Sequence, residues 1–442
     1  MARTDSLGHF LTDVADAIRT KGGTSATIQA SNFDTAIANL PSGGGTTEVE
    51  SKDVDFYDYD GTRIYSYTKT EFLALESMPS NPTHEGLTAQ GWNWTLSDAQ
   101  TFVTTYGKMD IGQFYVTDDE ATRIYIDLID ETRLNPYIGL YLNTTITIDW
   151  GDDSTPDTIT GTSTSNVTST NHVYSSVGKY VISITGGKLY LTGGSNSQSS
   201  MLFTNNQITT QGNSSTNPYL DYVYKIELGS NVNGLGYASF GHLHNLKSIS
   251  VPSIFINVSS THVFCHCHSL KYVTYPKAYS ISAYGFDNCV NLKAVSFSDT
   301  TRSVNPNSFS SCYVLKRVIF PNALLLPQQA MFQYCYSLIE FIKSGNEIEI
   351  PFGFLSYCTS FKKYIAPSTL TKINIIGFSN CSGITEYDFT ALTSVPTLAS
   401  TSAFTDINPN CRMIIPDDLY DTWSTASNWS SYASYMVKES EI

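Results

Sequence analysis

The chain has 442 residues, a formal net charge of −15 and only 15% charged residues, with 29 Tyr and 22 Phe. This length predicts several domains, by the prior of about 100–200 residues each. The composition suits β-rich surface modules better than a cytosolic α/β enzyme, and the acidic balance excludes a general nucleic-acid binder, which needs a basic footprint.

The opening residues, MARTDSLGHF, show no apolar signal-peptide core, and no stretch reaches the roughly 18 apolar residues of a membrane span. A surface-like composition without an export address is the combination expected of virion proteins. Residues 6–20 read as an amphipathic helix through Leu7, Phe10, Leu11, Val14 and Ile18, stopped at Lys21-Gly22-Gly23. A second short helix follows, with Ser31 and Asp34 in capping-box spacing and Phe33, Ile37 and Leu40 on its apolar side. Pro41-Ser-Gly-Gly-Gly45 then reads as a linker. A hairpin of this size is too small to stand alone, so residues 1–45 predict an attachment or oligomerisation segment. Leu11-Thr-Asp13-Val14-Ala-Asp16-Ala17-Ile18-Arg19, Gly23-Thr24, Ile28, Phe33, Ile37 and Leu40-Pro41 resemble a segment of tail and baseplate proteins of phages of Gram-positive bacteria. That resemblance implies contact with other tail or baseplate proteins and homo-oligomers, with a trimer favoured.

Residues 46–135 predict a small α+β module. Val54 to Tyr67 reads as two strands around a turn at Asp60-Gly61, Ser97 as the cap of a short helix through Phe102, and Thr122–Ile129 as an alternating strand. Asn81 to Trp94 resembles a module of phage tail-fibre-like proteins. In residues 136–187, Ile146-Thr-Ile-Asp149-Trp150-Gly151-Asp152-Asp153-Ser154 is followed by His172-Val-Tyr174 and Gly178-Lys-Tyr180. This pair of motifs resembles the polycystic-kidney-disease-type Ig-like β-sandwich, a spacer or weak interaction domain. Asp149, Asp152 and Asp153 suit either a Ca²⁺ site or hydrogen-bonded turns. Residues 188–225 read as a connector and N-terminal cap, with Tyr222–Leu228 as an incoming strand.

From residue 226 to 410 the chain repeats with a period of about 23 residues. An anchor position holds Phe240, Phe264, Phe286, Phe309, Phe332, Leu355 and Phe378. Three residues on stand Leu243, Cys267, Cys289, Cys312, Cys335, Cys358 and Cys381; six on, Leu246, Leu270, Leu292, Leu315, Leu338, Phe361 and Ile384. Nine on come Ile249, Val273, Val295, Val318, Phe341, Tyr364 and Tyr387. Four agreeing positions over seven copies predict a solenoid whose repeats bury their apolar sides only by stacking. The pattern resembles the treponemal class of leucine-rich repeats, found in bacterial surface adhesins and phage-encoded proteins. Six of the eight cysteines occupy the ladder and read as small buried hydrophobes rather than disulfides. Residues 411–442 predict a helical cap, with Asp417 and Asp418 in a first turn after Pro416. The fold class is thus mainly β and multidomain: a helical hairpin, β-rich modules including an Ig-like sandwich, and a solenoid with a helical cap.

No catalytic motif emerges, and the reading is of a non-enzymatic protein without cofactor. His242 and His244 occupy the same repeat positions as His266 and His268. Coils about 5 Å apart would stack the first with the third and the second with the fourth, as a surface Zn²⁺ or Ni²⁺ site or a plain polar row. Lys247, Lys271, Lys293, Lys316 and Lys362 form a second row, a basic stripe for an anionic surface polymer or a solvated ladder. Among the repeat tyrosines, Tyr272, Tyr284, Tyr313, Tyr336 and Tyr357 could stack on sugars or pack against protein, and Tyr272 is grouped with the lysines as ligand-facing. The function expected is a phage or prophage tail protein that binds a bacterial surface polysaccharide or protein receptor through its repeats, located in the virion. The alternatives are a bacterial cell-surface adhesin and a virion decoration protein without a receptor role.

Overall fold

The computed structural model describes residues 49–191, 218–254, 256–258, 261–320, 327–342 and 348–442. The hairpin expected in residues 1–45 and most of the connector at 188–225 lie outside these. Residues 51–442 form one compact unit. No helix among the described residues is long and apolar enough to cross a membrane.

The first module is a four-stranded sheet with two helices. Its elements are β1 (Val54–Tyr57), β2 (Arg63–Tyr67), α1 (Lys69–Leu73), β3 (Leu87–Trp92), α2 (Leu96–Tyr106) and β4 (Met109–Thr117). The sheet order is β2-β1-β4-β3. The β1–β2 turn passes through Gly61 at φ +88°, in the left-handed region that glycine enters freely. Helix α2 is longer than expected and is capped by Thr95, not Ser97: Thr95 has extended backbone, and its side chain accepts from Asp98 N at 3.2 Å. Phe56, Phe72, Phe102, Val103 and Ile111 pack between sheet and helices.

Next come β5 (Thr122–Leu128), β6 (Tyr137–Leu142), β7 (Thr145–Asp149), β8 (Asp157–Thr160), β9 (Ser163–Asn171), β10 (Gly178–Gly186) and β11 (Leu189–Leu191). They form two sheets whose apolar residues, Ile124, Ile138, Leu140, Ile148, Trp150 and Ile184 among them, share one core with the repeats. β5 pairs antiparallel with β10 along seven residues, so the sheets cross the boundary expected at 135/136. They also run into the repeats. β12 (Val223–Glu227) pairs with β5 and, in parallel, with β14 (Ser248–Ser250). β13 (Val232–Leu235) pairs with β11 and with β15 (Asn257–Val258). Both sheets therefore continue as the two strand ladders of the solenoid, and the solenoid begins with no exposed end.

The solenoid makes about nine turns. Among the described residues most coils contribute two short strands, several of which pair in parallel with those of the next coil, as Tyr272–Thr274 does with Ala294–Ser296. The anchors stack as a column: Phe264 on Phe286 at 5.3 Å between centroids, Phe286 on Phe309 at 5.4 Å, and Phe378 on Phe404 at 5.4 Å. Phe404 is an eighth anchor that the repeat pattern alone did not show. The cysteines form the second column. Cys289 Sγ donates to Phe264 O at 3.0 Å and Cys312 Sγ to Phe286 O at 3.1 Å, each reaching the anchor carbonyl of the preceding coil. Cys267, Cys335, Cys358 and Cys381 do the same. All eight cysteines are free and buried.

The helical cap expected at 411–442 is a mixed segment. Arg412–Ile415 and Met436–Lys438 continue the parallel ladder. Between them lie one six-residue helix, α3 (Tyr420–Thr425), and 3-10 turns. The end of the core is covered by Trp423 and Trp429 with centroids 5.3 Å apart, not by a helix face. Asp417 lies in a 3-10 turn and accepts from Ser440 N at 3.1 Å.

Candidate functional site

A solenoid coil offers two surfaces: the outward face of its strands and the turn that carries the anchor. In this protein the first is taken on one ladder, between Val251 and Glu340. Strand side chains alternate, so Val273, Val295 and Val318 point into the core while Tyr272, Thr274, Ala294, Ser296, Arg317 and Ile319 point out. The first module sits on these. Tyr57 stacks on Tyr272 at 4.9 Å, and Asn93 Nδ2 and Trp94 Nε1 donate to Phe297 O at 3.0 and 2.7 Å. Arg317 reaches Asp55 at 3.1 Å and also Asp110, while Lys108 pairs with Glu340 at 3.0 Å. Gly112 makes the approach feasible, because a Cβ there would collide with the Tyr272 hydroxyl and Thr274. Tyr272, read from sequence as ligand-facing, is therefore fully covered within the protein and hydrogen-bonded to Ser296 at 2.8 Å.

The turn face stays open. Each turn holds a left-handed residue two positions before and two after its anchor, which aims backbone N–H groups along the axis. Phe264 N donates to Gly285 O at 2.8 Å, His242 N to Cys265 O at 2.7 Å and Tyr334 N to Ser356 O at 2.9 Å, so turns stack as strands do. The position two after the anchor and the one two further on form adjacent side-chain rows along the solenoid.

The histidines fill both rows at one end. His242 stacks on His266 with centroids 4.3 Å apart and an interplanar angle of 12°; His244 stacks on His268 at 4.7 Å and 13°. Parallel stacked rings carry their nitrogen lone pairs side by side in separate planes. A tetrahedral Zn²⁺ needs lone pairs converging at about 2.0–2.1 Å on one point. Nitrogens are also engaged elsewhere, His244 Nδ1 with Asp221 at 2.7 Å. The metal site expected at His242, His244, His266 and His268 is not formed, and no group of three or more His, Cys, Asp or Glu among the described residues is arranged to hold an ion. Burial holds His242 down to about 3, and neighbouring His266 adds to this; burial likewise lowers His266 to about 4. The His242–His266 pair is thus neutral near pH 7. The carboxylates considered for Ca²⁺ serve turns instead: Asp149 accepts from Gly151 N at 2.9 Å, and Asp152 meets His172 at 2.7 Å and Ser154 N at 3.3 Å.

Further along, the same rows hold Tyr334 and Tyr357, then Tyr313 and Tyr336. Tyr334 escaped the sequence reading, although its place two residues past Phe332 matches that of His266 past Phe264. The lysine row runs beside them. Lys247, Lys271, Lys293, Lys316 and Lys362 are all exposed, and among the described residues none has an ion-pair partner within 4 Å. At one end a cleft of about 360 Å³ is lined by Lys247, Lys271, Ser248, Ser269, Asn291 and Asp60 of the docked module. The turn face and its flank thus carry flat rings, hydroxyls and cations in registered rows.

Known proteins match the repeat region. The model of the BspA type leucine-rich repeat region matches in six copies over residues 197–280 and 279–408. No curated protein matches the chain. Among solved structures it is similar to a leucine-rich repeat protein from Bacteroides ovatus, at 17% identity and TM-score 0.33, over 48% of this chain and 65% of that one. It is also similar to a T. pallidum leucine-rich repeat protein, at 18% identity and TM-score 0.31, over 49% of this chain and 89% of that one. A leucine-rich cell surface protein from Faecalibacterium prausnitzii is similar at 16% identity and TM-score 0.24, over 47% of this chain and 75% of that one. The chain thus spans less than two thirds of the first of these structures. The parallel coils, the anchor column and the family match agree on one statement: the C-terminal half of this protein is a solenoid of BspA-type leucine-rich repeats.

Proposed function

We propose that this protein is an adhesin-like, non-enzymatic binding protein of the bacterial cell surface, which engages a surface polysaccharide or protein receptor through the turn face of its solenoid. The observation that carries this reading is the division of the solenoid surface. The first module covers the outward strand face from Val251, whose carbonyl accepts from Tyr115 N at 3.0 Å, to Glu340. Beside it the five lysines stay exposed, as do Tyr313, Tyr336 and Thr359 of the turn rows, whereas the row two residues after the anchor is half-buried or buried. Repetition along the axis gives several weak contacts to one extended ligand, which is avidity.

The setting differs from the one expected from the sequence. The family match concerns the repeats and lends no support to a phage tail, so the cell-surface alternative is the reading adopted. The sandwich-like sheets around Trp150, with Tyr174 OH donating to Trp150 O at 2.9 Å, would act as the rigid base of the solenoid rather than a loose Ig-like spacer. Residues 1–45 would supply attachment or self-association, with a trimer as the expectation to be checked by light scattering.

The test is binding of the fluorescently labelled full chain to intact bacterial cells over a range of salt. Binding that weakens with salt, and weakens further when Lys247, Lys271, Lys293 and Lys316 are replaced by Ser, supports the basic row as part of the surface. Failure to label any cell at low salt would overturn the adhesin reading.

A further inference from the structure

The turn face changes character along the solenoid. Two residues past the anchor, the backbone is left-handed in every repeat from His242 to Asn380, with φ between 57° and 66°. Asparagine tolerates this region, and Asn288 and Asn380 occupy it in two coils. A bulky side chain there costs on the order of 1–2 kcal/mol. Two adjacent coils nevertheless carry tyrosine, Tyr334 at φ 63° and Tyr357 at φ 66°. The fold does not require the rings, since asparagine fills the same turn elsewhere. Both rings are half-buried, and strain kept at a position that asparagine fills elsewhere is a pointer to function.

The rings form an ordered patch. Tyr334 stacks on Tyr357 at 4.8 Å and 30°, Tyr313 lies against Tyr336 at 5.3 Å and 43°, and Tyr334 and Tyr336 are 6.4 Å apart. Tyr313 and Tyr336 are 40% and 39% exposed. None of the four phenol hydroxyls has a hydrogen-bond partner among the described residues. Ser337 and Ser360 lie beside the patch, and Lys316 and Lys362 stand just beyond; Val314 and Ile339 are the apolar exceptions.

We propose that Tyr313, Tyr334, Tyr336 and Tyr357 form a contact platform for a linear β-1,4-linked polysaccharide lying along the solenoid axis. Tyr334 and Tyr357 stack on each other, so the row presents ring edges and phenol hydroxyls outward, where they can meet the C–H groups and hydroxyls of successive sugars. The ring spacing follows the coil repeat of about 5 Å, close to the advance of one sugar along an extended chain. Successive sugars thus meet successive coils. The free phenol hydroxyls serve the sugar hydroxyls, which a protein partner with a dry apolar centre would leave unpaired. The proposal rests on the surface-binding reading and names its ligand class.

The experiment compares the full chain with a Tyr334→Asn/Tyr357→Asn double variant. The probes are hexasaccharides of β-1,4-linked glucose and of β-1,4-linked N-acetylglucosamine, titrated calorimetrically, and intact cells treated with periodate or protease. At least one hexasaccharide should bind, and the double variant should bind it about tenfold or more weakly. Its thermal midpoint should hold or rise, because asparagine relieves the left-handed strain. Absence of binding to both hexasaccharides, equal binding by the variant, or a midpoint that falls together with binding overturns the proposal. Cell binding that survives periodate but not protease overturns the saccharide and leaves adhesion standing. Labelling of no untreated cell overturns the adhesion reading itself.

Discussion

Tyr57 of the first module lies face to face with Tyr272 of the solenoid, ring centroids 4.9 Å apart and 23° from parallel. The pair joins residues more than 200 positions apart in sequence and makes Tyr272 a core residue of the interface between module and solenoid. Replacing Tyr272 with Ala removes a ring that is 1% exposed and leaves a cavity beneath the β1–β2 turn. The expected cost is about 3–5 kcal/mol, in the range for large aromatic truncations. Denaturant midpoints measure it, and cell binding per folded molecule should not change. A surface-like effect below about 0.5 kcal/mol would show that the module does not sit there.

The charged contact of the same interface predicts a second effect. Arg317 stands between Asp55 and Asp110, whose side chains are 0% and 2% exposed. Arg317→Ala would strip Asp110 of its ion-pair partner and leave Asp55 with Arg63 at 3.4 Å and the Ser51 and Ser66 hydroxyls. Breaking a buried pair by removing one partner costs about 3–5 kcal/mol. Hydrogen exchange should accelerate first in residues 51–117, ahead of the coils beyond Glu340. Uniform exchange along the chain would contradict the docking.

How much of this was legible in the sequence follows from the range of each interaction. The anchor, Cys and Leu columns repeat every 23 residues or so, and a local period is readable without knowing the fold. Phe404 was missed because it comes 26 residues after Phe378 and Ile407 stands at its Cys position. The docking has no local period. Its one trace lies in the outward strand positions, which hold Tyr272, Ala294 and Ile319 where the module sits but Lys363, Glu386 and Asp388 where it does not. The histidine columns were readable as neighbours, but ring orientation, which decides metal binding, depends on turn geometry. The mixed C-terminal segment reads as helical because Asp417 and Asp418 follow Pro416 as in a first turn, whereas Trp423, Trp429 and Tyr432 pack on Phe389 or Phe404 through a 3-10 or short α turn.

The cysteine column makes a chemical prediction. Burial pushes every ladder thiol upward, Cys381 to about 12, and raises Cys411 to about 11. The thiolate is the reactive form, so a thiol reagent at pH 8 should find no fast-reacting group in the native protein and eight in denaturant. Cys312→Ala should cost about 1–3 kcal/mol, since it leaves the buried Phe286 carbonyl without its cross-coil donor. Cys312→Ser restores a donor and should recover part of that loss. Rapid labelling of the native protein would mean the column is open.

The histidine stack predicts how stability depends on pH. His242 and His266 have folded values of about 3 and 4 against an ordinary value of 6.5, because burial and neighbouring imidazoles penalise the charged ring. Between those values the unfolded chain binds more protons than the folded one, so the slope of unfolding free energy with pH is positive there. The stack's contribution is therefore full above about pH 6.5 and is lost as pH falls toward 4 and then 3. Carboxylates add a similar loss only at lower pH, near their own ordinary values of about 4. The window from pH 6.5 to about 5 thus reports the imidazoles. Replacing His242 and His266 together with Asn, a residue that this left-handed position accepts in Asn288 and Asn380, removes the two most strongly lowered imidazoles without altering the turn. Thermal midpoints of the native chain should fall across that window, and those of the double variant should fall less, the remainder coming from His262 and His268, which burial also lowers. Parallel curves for the two proteins would mean the rings are not held neutral by their stacking.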